Sequence, residues 1–280
     1  MLVNLNDVLI PARKNKYAVG LFNTVNFEMV RGVIKAAEEN KCPVIIGTAE
    51  VLLPYGPLEE LSEFLVPMAK KAEVPVVVHY DHGLTFDKCI EALKLGFTSV
   101  MYDCSKDSYE ENIRKVRELT KIAHCFGATV EGELGHVGDN EGSSEGNNIL
   151  QDPSVFYTEP LQAKDYVERT NIDALAIAVG SAHGSYKMKP KLDFERIKEI
   201  KASVDVPLVL HGGSGLSDDD FKKAIENGIS KVNIFTDINV AASDAVKKAF
   251  EYGKNCITDI IPYQVDAIKK AAEIKMKLFK

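Results

Sequence analysis

The stretch Val74-Pro75-Val76-Val77-Val78-His79-Tyr80-Asp81-His82-Gly83 decides the fold. A run of β-branched residues behind a proline reads as a strand buried on both faces. It stops abruptly in two histidines, an aspartate and a glycine. An apolar strand that delivers ionisable groups at its C-terminal end is the way α/β barrels present chemistry. The same pattern recurs seven more times along the chain.

Tyr17 to Asn23 is a first apolar run ending in a polar residue, followed by Phe27, Val30, Val33, Ile34 and Ala37 at helical spacing. Pro43 to Thr48 is the second strand, and Leu58, Leu61, Phe64, Leu65 and Met68 mark the next helix, with Pro67 predicting a kink or early end. After the opening stretch comes a short helix closed by Gly96, a C′ residue. Ser99 to Ser105 is strand four, followed by a helix whose Ser108 and Glu111 form a capping-box pattern. Ala128 to His136 is strand five. Ala174 to Gly180 is strand six, running into Ser181-Ala182-His183-Gly184. Pro207 to Leu210 is strand seven, running into His211-Gly212-Gly213-Ser214-Gly215 before a helix capped by Ser217. Lys231 to Asp237 is strand eight.

Strict strand-then-helix alternation implies parallel strands joined by right-handed crossovers. Eight such units point to a closed (β/α)8 TIM barrel, α/β in class. With no linker or shift of composition, residues 1–280 read as a single domain. Two C-terminal helices extend it from about Asn239 to Tyr252 and from Pro262 to the end. A loop over about 136–160, rich in Gly, Ser, Asn and Asp, is long enough to expect a lid.

Bulk properties bound the function. The 280 residues, 45% hydrophobic and 27% charged, are ordinary globular composition. A net charge of −7 argues against nucleic acid or an anionic membrane as partner. The first residues lack the apolar core of a signal peptide, and no apolar run approaches the roughly 20 residues of a membrane span. The five cysteines, without a C-x-x-C pair, read as reduced thiols of a cytoplasmic protein.

In a barrel, the polar strand ends converge on one face. Here they bring Asn23, Thr48, Asp81, His82, Asp103, Glu131, Glu133, His183, His211, Asn233 and Thr236 together, with five of the six histidines. One histidine alone is usually structural. Several converging with carboxylates point to a metal, and three imidazoles with an open position suit a catalytic zinc. The Gly-rich turn after strand seven and the end of strand eight stand where such barrels bind phosphate. No strand end carries a lysine, since Lys231 enters strand eight from its opposite end. A Schiff-base mechanism needs an amine in the pocket; a metal electrophile replaces it.

Phe22-Asn23, His79-Tyr80-Asp81-His82, Glu131-Gly132-Glu133-Leu134-Gly135, Gly180-Ser181-Ala182-His183-Gly184, His211 to Gly215 and Asn233-Ile234-Phe235-Thr236 resemble the class II, zinc-dependent fructose-bisphosphate and tagatose-bisphosphate aldolase family. The resemblance covers nearly the whole chain. It implies that His82, His183 and His211 bind Zn2+, with Asp103 and Glu133 near an alternative or second metal position. It implies that Asp81 is the acid/base on the hydroxyl that becomes the aldehyde. Asn23, Gly184, Gly212, Gly213, Ser214, Asn233 and Thr236 would hold the dihydroxyacetone phosphate half and, in many members, a monovalent cation (Na+ or K+). The family's mobile-loop glutamate, which moves the carbon-bound proton, has its nearest match in Glu141. A homodimer or homotetramer acting on a small sugar phosphate is the expected assembly.

Family members that cleave bisphosphates usually carry Arg or Lys three residues after the Thr of the strand-eight motif. Here that residue is Asn239, and Phe235 stands where Asp or Ala is common. Losing that cation removes a charge-assisted contact to a distal phosphate. The expected substrate is therefore a ketose 1-phosphate. Fructose or tagatose 1,6-bisphosphate is the alternative if Lys187 or Lys189 substitutes. Two other classes compete. A zinc amidohydrolase would show His-x-His on strand one, where this chain has Leu21-Phe22-Asn23. A non-catalytic sugar-phosphate-binding subunit would need the glycine loops but neither Asp81 nor the three histidines.

Overall fold

The computed structural model describes residues 1–135, 137–139, 156–183 and 191–280. Eight strands form the barrel: Val19–Asn23, Val44–Ala49, Val76–Gly83, Ser99–Tyr102, Thr129–Leu134, Ala174–Ile177, Leu208–Leu210 and Ile229–Ile234. Each pairs in parallel with the next, and the eighth returns to the first through Lys231↔Val19 and Ile234↔Phe22. The ring is closed.

Strand alternation divides the apolar residues into two cores. Val76, Val78 and Tyr80 face outward into the layer under the helices, with Phe22, Ile46, Leu210 and Ile234. Leu21, Ile45, Val77, Ala174, Ala176 and Val209 face inward. That inner core is closed from below by a helix the sequence pattern did not reveal, Leu5–Asn15, which inserts Leu5, Val8, Leu9 and Ala12 into the barrel mouth. Arg13 holds it there, donating to the carbonyls of Lys201, Val204 and Val206. A short strand, Leu2–Val3, precedes it and pairs with Val76–Gly83. The bottom is plugged, so access is from the top.

Several local expectations change. The helix Leu58–Lys71 runs through Pro67 without ending. Pro67 and Glu63, whose carbonyl loses its partner, both lie on the exposed face where water can serve that oxygen. Ser108 caps the helix Tyr109–Cys125 only by position and makes no side-chain bond. Its expected partner Glu111 is held instead by Arg114, at 2.7 and 2.8 Å. Ser217 does form a capping box, with Asp220, and Gly96 takes φ +92° at its helix end. The C-terminal helices start earlier than expected, at Thr236–Glu251 and Ile257–Leu278, the second accommodating Pro262 in its first turns. None of the described helices is long and apolar enough to cross a membrane.

Candidate active site

Above the apolar layer, the inward-facing positions become polar. Strand three contributes His79 and Asp81, strand five Glu131 and Glu133, and strand eight Lys231 and Asn233, all buried. His211 follows strand seven immediately, and Asn23 ends strand one. A cavity of about 500 Å3 opens over them, lined by Asn23, Asp81, His82, Asp103, Glu133, Gly212, Gly213, Ser214, Asn233, Thr236 and Asn239.

Asp81 and His82 are neighbours in sequence, and in a regular strand they would face opposite sides. His82 instead takes φ +43°, a left-handed conformation that non-glycine residues rarely adopt. The pairing to strand four shifts register between Tyr80 and Gly83. This bulge re-aims the second side chain, so both reach the cavity. Such a conformation costs of order 1–3 kcal/mol and clusters at functional sites. Asp103 anchors it, its Oδ2 lying 2.8 Å from His82 Nδ1 while its Oδ1 accepts from the Ser105 amide and hydroxyl at 3.1 and 2.7 Å.

The imidazoles of His82 and His211 are oriented by carboxylates, as metal-ligating histidines are. His82 donates through Nδ1 to Asp103, which makes Nε2 the lone-pair nitrogen of the neutral ring. His211 Nε2 lies 2.7 Å from Glu131 Oε1 and its Nδ1 3.3 Å from Glu133 Oε2, so in the neutral ring that donates to Glu131 the lone pair sits on Nδ1. The ring centroids are 4.5 Å apart. Asp81, His82 and His211 offer donor atoms within 4.8 Å of one another, as do His82, Asp103 and Glu133. Nitrogen and carboxylate donors at this spacing, with the ring tautomers fixed, fit a zinc ion. A third cluster, His79, Asp81 and Glu131, also meets the distance criterion. It does not fit a cation, because the Lys231 ammonium already lies 2.8 Å from Glu131 Oε2.

Charge shapes each group. Burial pushes the Asp81 carboxyl up, but His82, His79, Lys231 and His211 outweigh it and hold the group well below the usual carboxylate range. Burial likewise opposes ionisation of Glu131, and Lys231 and His211 bring it down to about 2. Burial lowers His211, yet Glu131 and Glu133 raise it to about 10. Burial and the Lys231 charge lower His79, whose Nδ1 meets the Ser99 hydroxyl at 2.7 Å. Asn23 Nδ2 donates to Asp81 Oδ2 at 2.7 Å, and Asn233 Nδ2 to both Asp81 oxygens at 3.1 and 3.2 Å.

One side of the cavity is formed by the glycine turn after strand seven. Gly212 takes φ +65°, and a side chain at Gly213 would meet Val232 Cγ1 at 2.9 Å and the Asn233 carbonyl at 3.0 Å. The helix Thr236–Glu251 begins beside the cavity with no side-chain cap, and Phe235, Thr236 and Asn239 of its start line the cavity. The structure thus brings together Asn23, Asp81, His82, Asp103, Glu133, His211, Gly212, Gly213, Ser214, Asn233 and Thr236. His183 is placed by its backbone alone, in a two-residue strand paired with Gly138–Asp139. Its side chain, Gly184, Glu141, Lys187, Lys189 and most of the expected lid lie outside the described residues. Sequence reasoning missed two lysines: Lys106 lines the cavity from beyond strand four, and Lys231 reaches the site from below rather than lying at a distant strand start.

These features can be set beside known proteins. The family described as "Fructose-bisphosphate aldolase class-II" matches residues 3–280. A fructose-bisphosphate aldolase of Staphylococcus aureus is 38% identical over 289 aligned positions, covering 99% of this chain and 97% of its own. The protein YdjI of Escherichia coli K12 is 45% identical over 237 positions, covering 85% and 84%. The crystal structure of that YdjI aldolase superposes with a TM-score of 0.89 at 40% identity, covering 100% of this chain and 97% of its own. The strand-end carboxylates and imidazoles therefore stand in a barrel of known kind: the chain belongs to the class II fructose-bisphosphate aldolase family and is a class II aldolase, an aldehyde-lyase.

Proposed function

We propose that this aldolase cleaves a ketose 1-phosphate to dihydroxyacetone phosphate and an aldehyde that carries no phosphate. The observation that carries this reading is Asn239, a neutral side chain lining the cavity at the position where the family resemblance leads one to expect the Arg or Lys that meets a second phosphate.

The family is zinc-dependent, and His82, His183 and His211 are the ligands proposed here, with Asp103 and Glu133 near a second position. When bound, zinc would supply a Lewis acid for the negative charge that develops on the ketose carbonyl side. The chain's own groups would do the rest. Asp81 takes the proton of the C4 hydroxyl as the C3–C4 bond breaks, releasing the aldehyde. The electron pair left at C3 is then protonated, a step assigned to Glu141. Gly212, Gly213, Ser214 and Thr236 hold the phosphate through backbone amides and hydroxyls. A monovalent cation beside that phosphate, and Asn23 and Asn233 on the hydroxyls, complete the proposed subsite.

The test is aldol cleavage on a panel of ketose 1-phosphates and fructose and tagatose 1,6-bisphosphates, with and without a zinc chelator. Chelator-sensitive release of dihydroxyacetone phosphate from 1-phosphates alone supports the reading. Preference for a bisphosphate keeps the aldolase and refutes the substrate assignment. It would turn attention to Lys106, which lines the cavity among the described residues. Asn239→Arg is expected to raise kcat/KM for a bisphosphate relative to the 1-phosphate by about 10-fold, the scale of one exposed charge-assisted contact. An unchanged ratio would mean that position 239 does not face the distal end.

A further inference from the structure

Lys231 is fully buried one layer below the cavity. Its ammonium has three donors and no acceptor. It donates to Asn233 Oδ1 at 2.7 Å and pairs with Glu131 Oε2 at 2.8 Å. The two ends of an asparagine amide are nearly isosteric, so its orientation follows from its partners. An ammonium can face only the oxygen. The Asn233 NH2 must therefore point the other way, and it does, donating to both oxygens of Asp81. Asn23 donates to the same carboxylate from the neighbouring strand side.

We propose that Lys231 is a positioning residue for carbon–carbon cleavage: by holding Asn233 Oδ1 it locks the amide so that the Asp81 carboxylate is clamped between two amide donors, in reach of the substrate hydroxyl. This inference rests on Asp81 being the base for that hydroxyl. Without the ammonium the Asn233 amide can rotate by half a turn. Its oxygen would then face a carboxylate, and repulsion would move Asp81 off its line of attack. Displacements on the scale of 1 Å can lower a rate by about 100-fold. Glu131 has a separate part. It is the counter-charge that lets an ammonium remain in the barrel interior, and removing one member of such a pair strands the other.

The decisive variant is therefore K231M/E131Q, which removes both charges, keeps the length of the lysine stem, and keeps an acceptor for His211 Nε2. E131Q alone controls for Glu131, and D81N for the underlying reading. Five quantities are compared in the zinc-loaded enzymes: zinc content, thermal melting, cleavage kcat, cleavage KM, and exchange of the C3 proton of dihydroxyacetone phosphate into D2O. That exchange moves a carbon-bound proton and involves no hydroxyl proton transfer, so it bypasses Asp81. The double variant is expected to hold zinc and to exchange within about threefold of wild type. Its kcat for cleavage is expected to fall about 30-fold with KM within about threefold. Cleavage within threefold of wild type, or equal losses of cleavage and exchange, would overturn the proposal. If the double variant fails to hold zinc, K231Q is judged by the same split: selective loss of cleavage supports the proposal and parallel loss overturns it. A D81N enzyme that still cleaves normally would instead remove the Asp81 reading itself.

Discussion

Asp81→Asn is expected to bind zinc normally and to cleave its ketose phosphate about 1,000-fold more slowly, within the range that a positioned general base contributes. The argument starts from ionisation. Asp81 is only 1% exposed, a setting that by itself favours the neutral acid. The imidazoles of His82, His79 and His211 and the Lys231 ammonium reverse that preference, so the group is a carboxylate throughout neutral pH. Two asparagine amides donate to it, which leaves it acceptor-only and ready to take a proton. Asparagine has the same shape but no basic oxygen. It also brings an NH2 towards two amide donors, a clash that rotation of the new side chain relieves by turning its oxygen to them. Fold and zinc should therefore survive, and kcat should carry the loss. Zinc content by elemental analysis with steady-state cleavage kinetics checks this, and cleavage within tenfold of wild type would remove Asp81 from the assignment.

The parts of this site that were legible in sequence share a cause. A buried strand shows as a β-branched run, and its end shows where polar residues begin, so the sequence pattern alone puts Asp81, Glu133, His211 and Asn233 on one face. Conformations that break the local rule escape it. Alternation sends Asp81 and His82 to opposite sides, and only the left-handed backbone at His82 brings them together. Nothing in the sequence marks that residue, because the usual signal for such a backbone is glycine. Lys231 differs from its expected place for another reason: although it stands towards the start of its strand, it is two residues before Asn233 and so on the same inward face. Period two alone would have placed it under the site beside Glu131, two residues before Glu133. The helix Leu5–Asn15 was hidden because only Leu5, Val8, Leu9 and Ala12 are buried, a stripe too short and too interrupted by Pro11 to stand out. The failed capping box at Ser108 shows the converse. Its pattern was present, but the Glu111 side chain met an arginine three residues on.

His211→Ala is expected to lose stoichiometric zinc and about 1,000-fold in kcat/KM, the scale of several kcal/mol of Lewis-acid stabilisation. His211 is fully buried and gripped on both nitrogens, by Glu131 at 2.7 Å and Glu133 at 3.3 Å. Burial lowers its pKa, but these two carboxylates outweigh that and raise it to about 10, favouring the protonated ring. A metal ligand must be the neutral ring, so zinc held by His211 would be bound with loss of that proton and would supply a counter-charge to Glu133 in its place. Deleting the ring removes a donor atom and leaves Glu131 and Glu133 facing each other across the vacated space. Asp103→Asn separates orientation from ligation. If Asp103 only orients His82, its amide variant should lose about 10- to 100-fold in zinc affinity and recover cleavage in excess zinc. His211→Ala should not recover, because added metal cannot replace a missing donor. Chelation of the wild type should reproduce the loss and zinc should reverse it. A His211→Ala enzyme that keeps both zinc and turnover would place the metal elsewhere on the barrel face, and would reassign the Glu131–His211–Glu133 cluster to holding strands five and seven together.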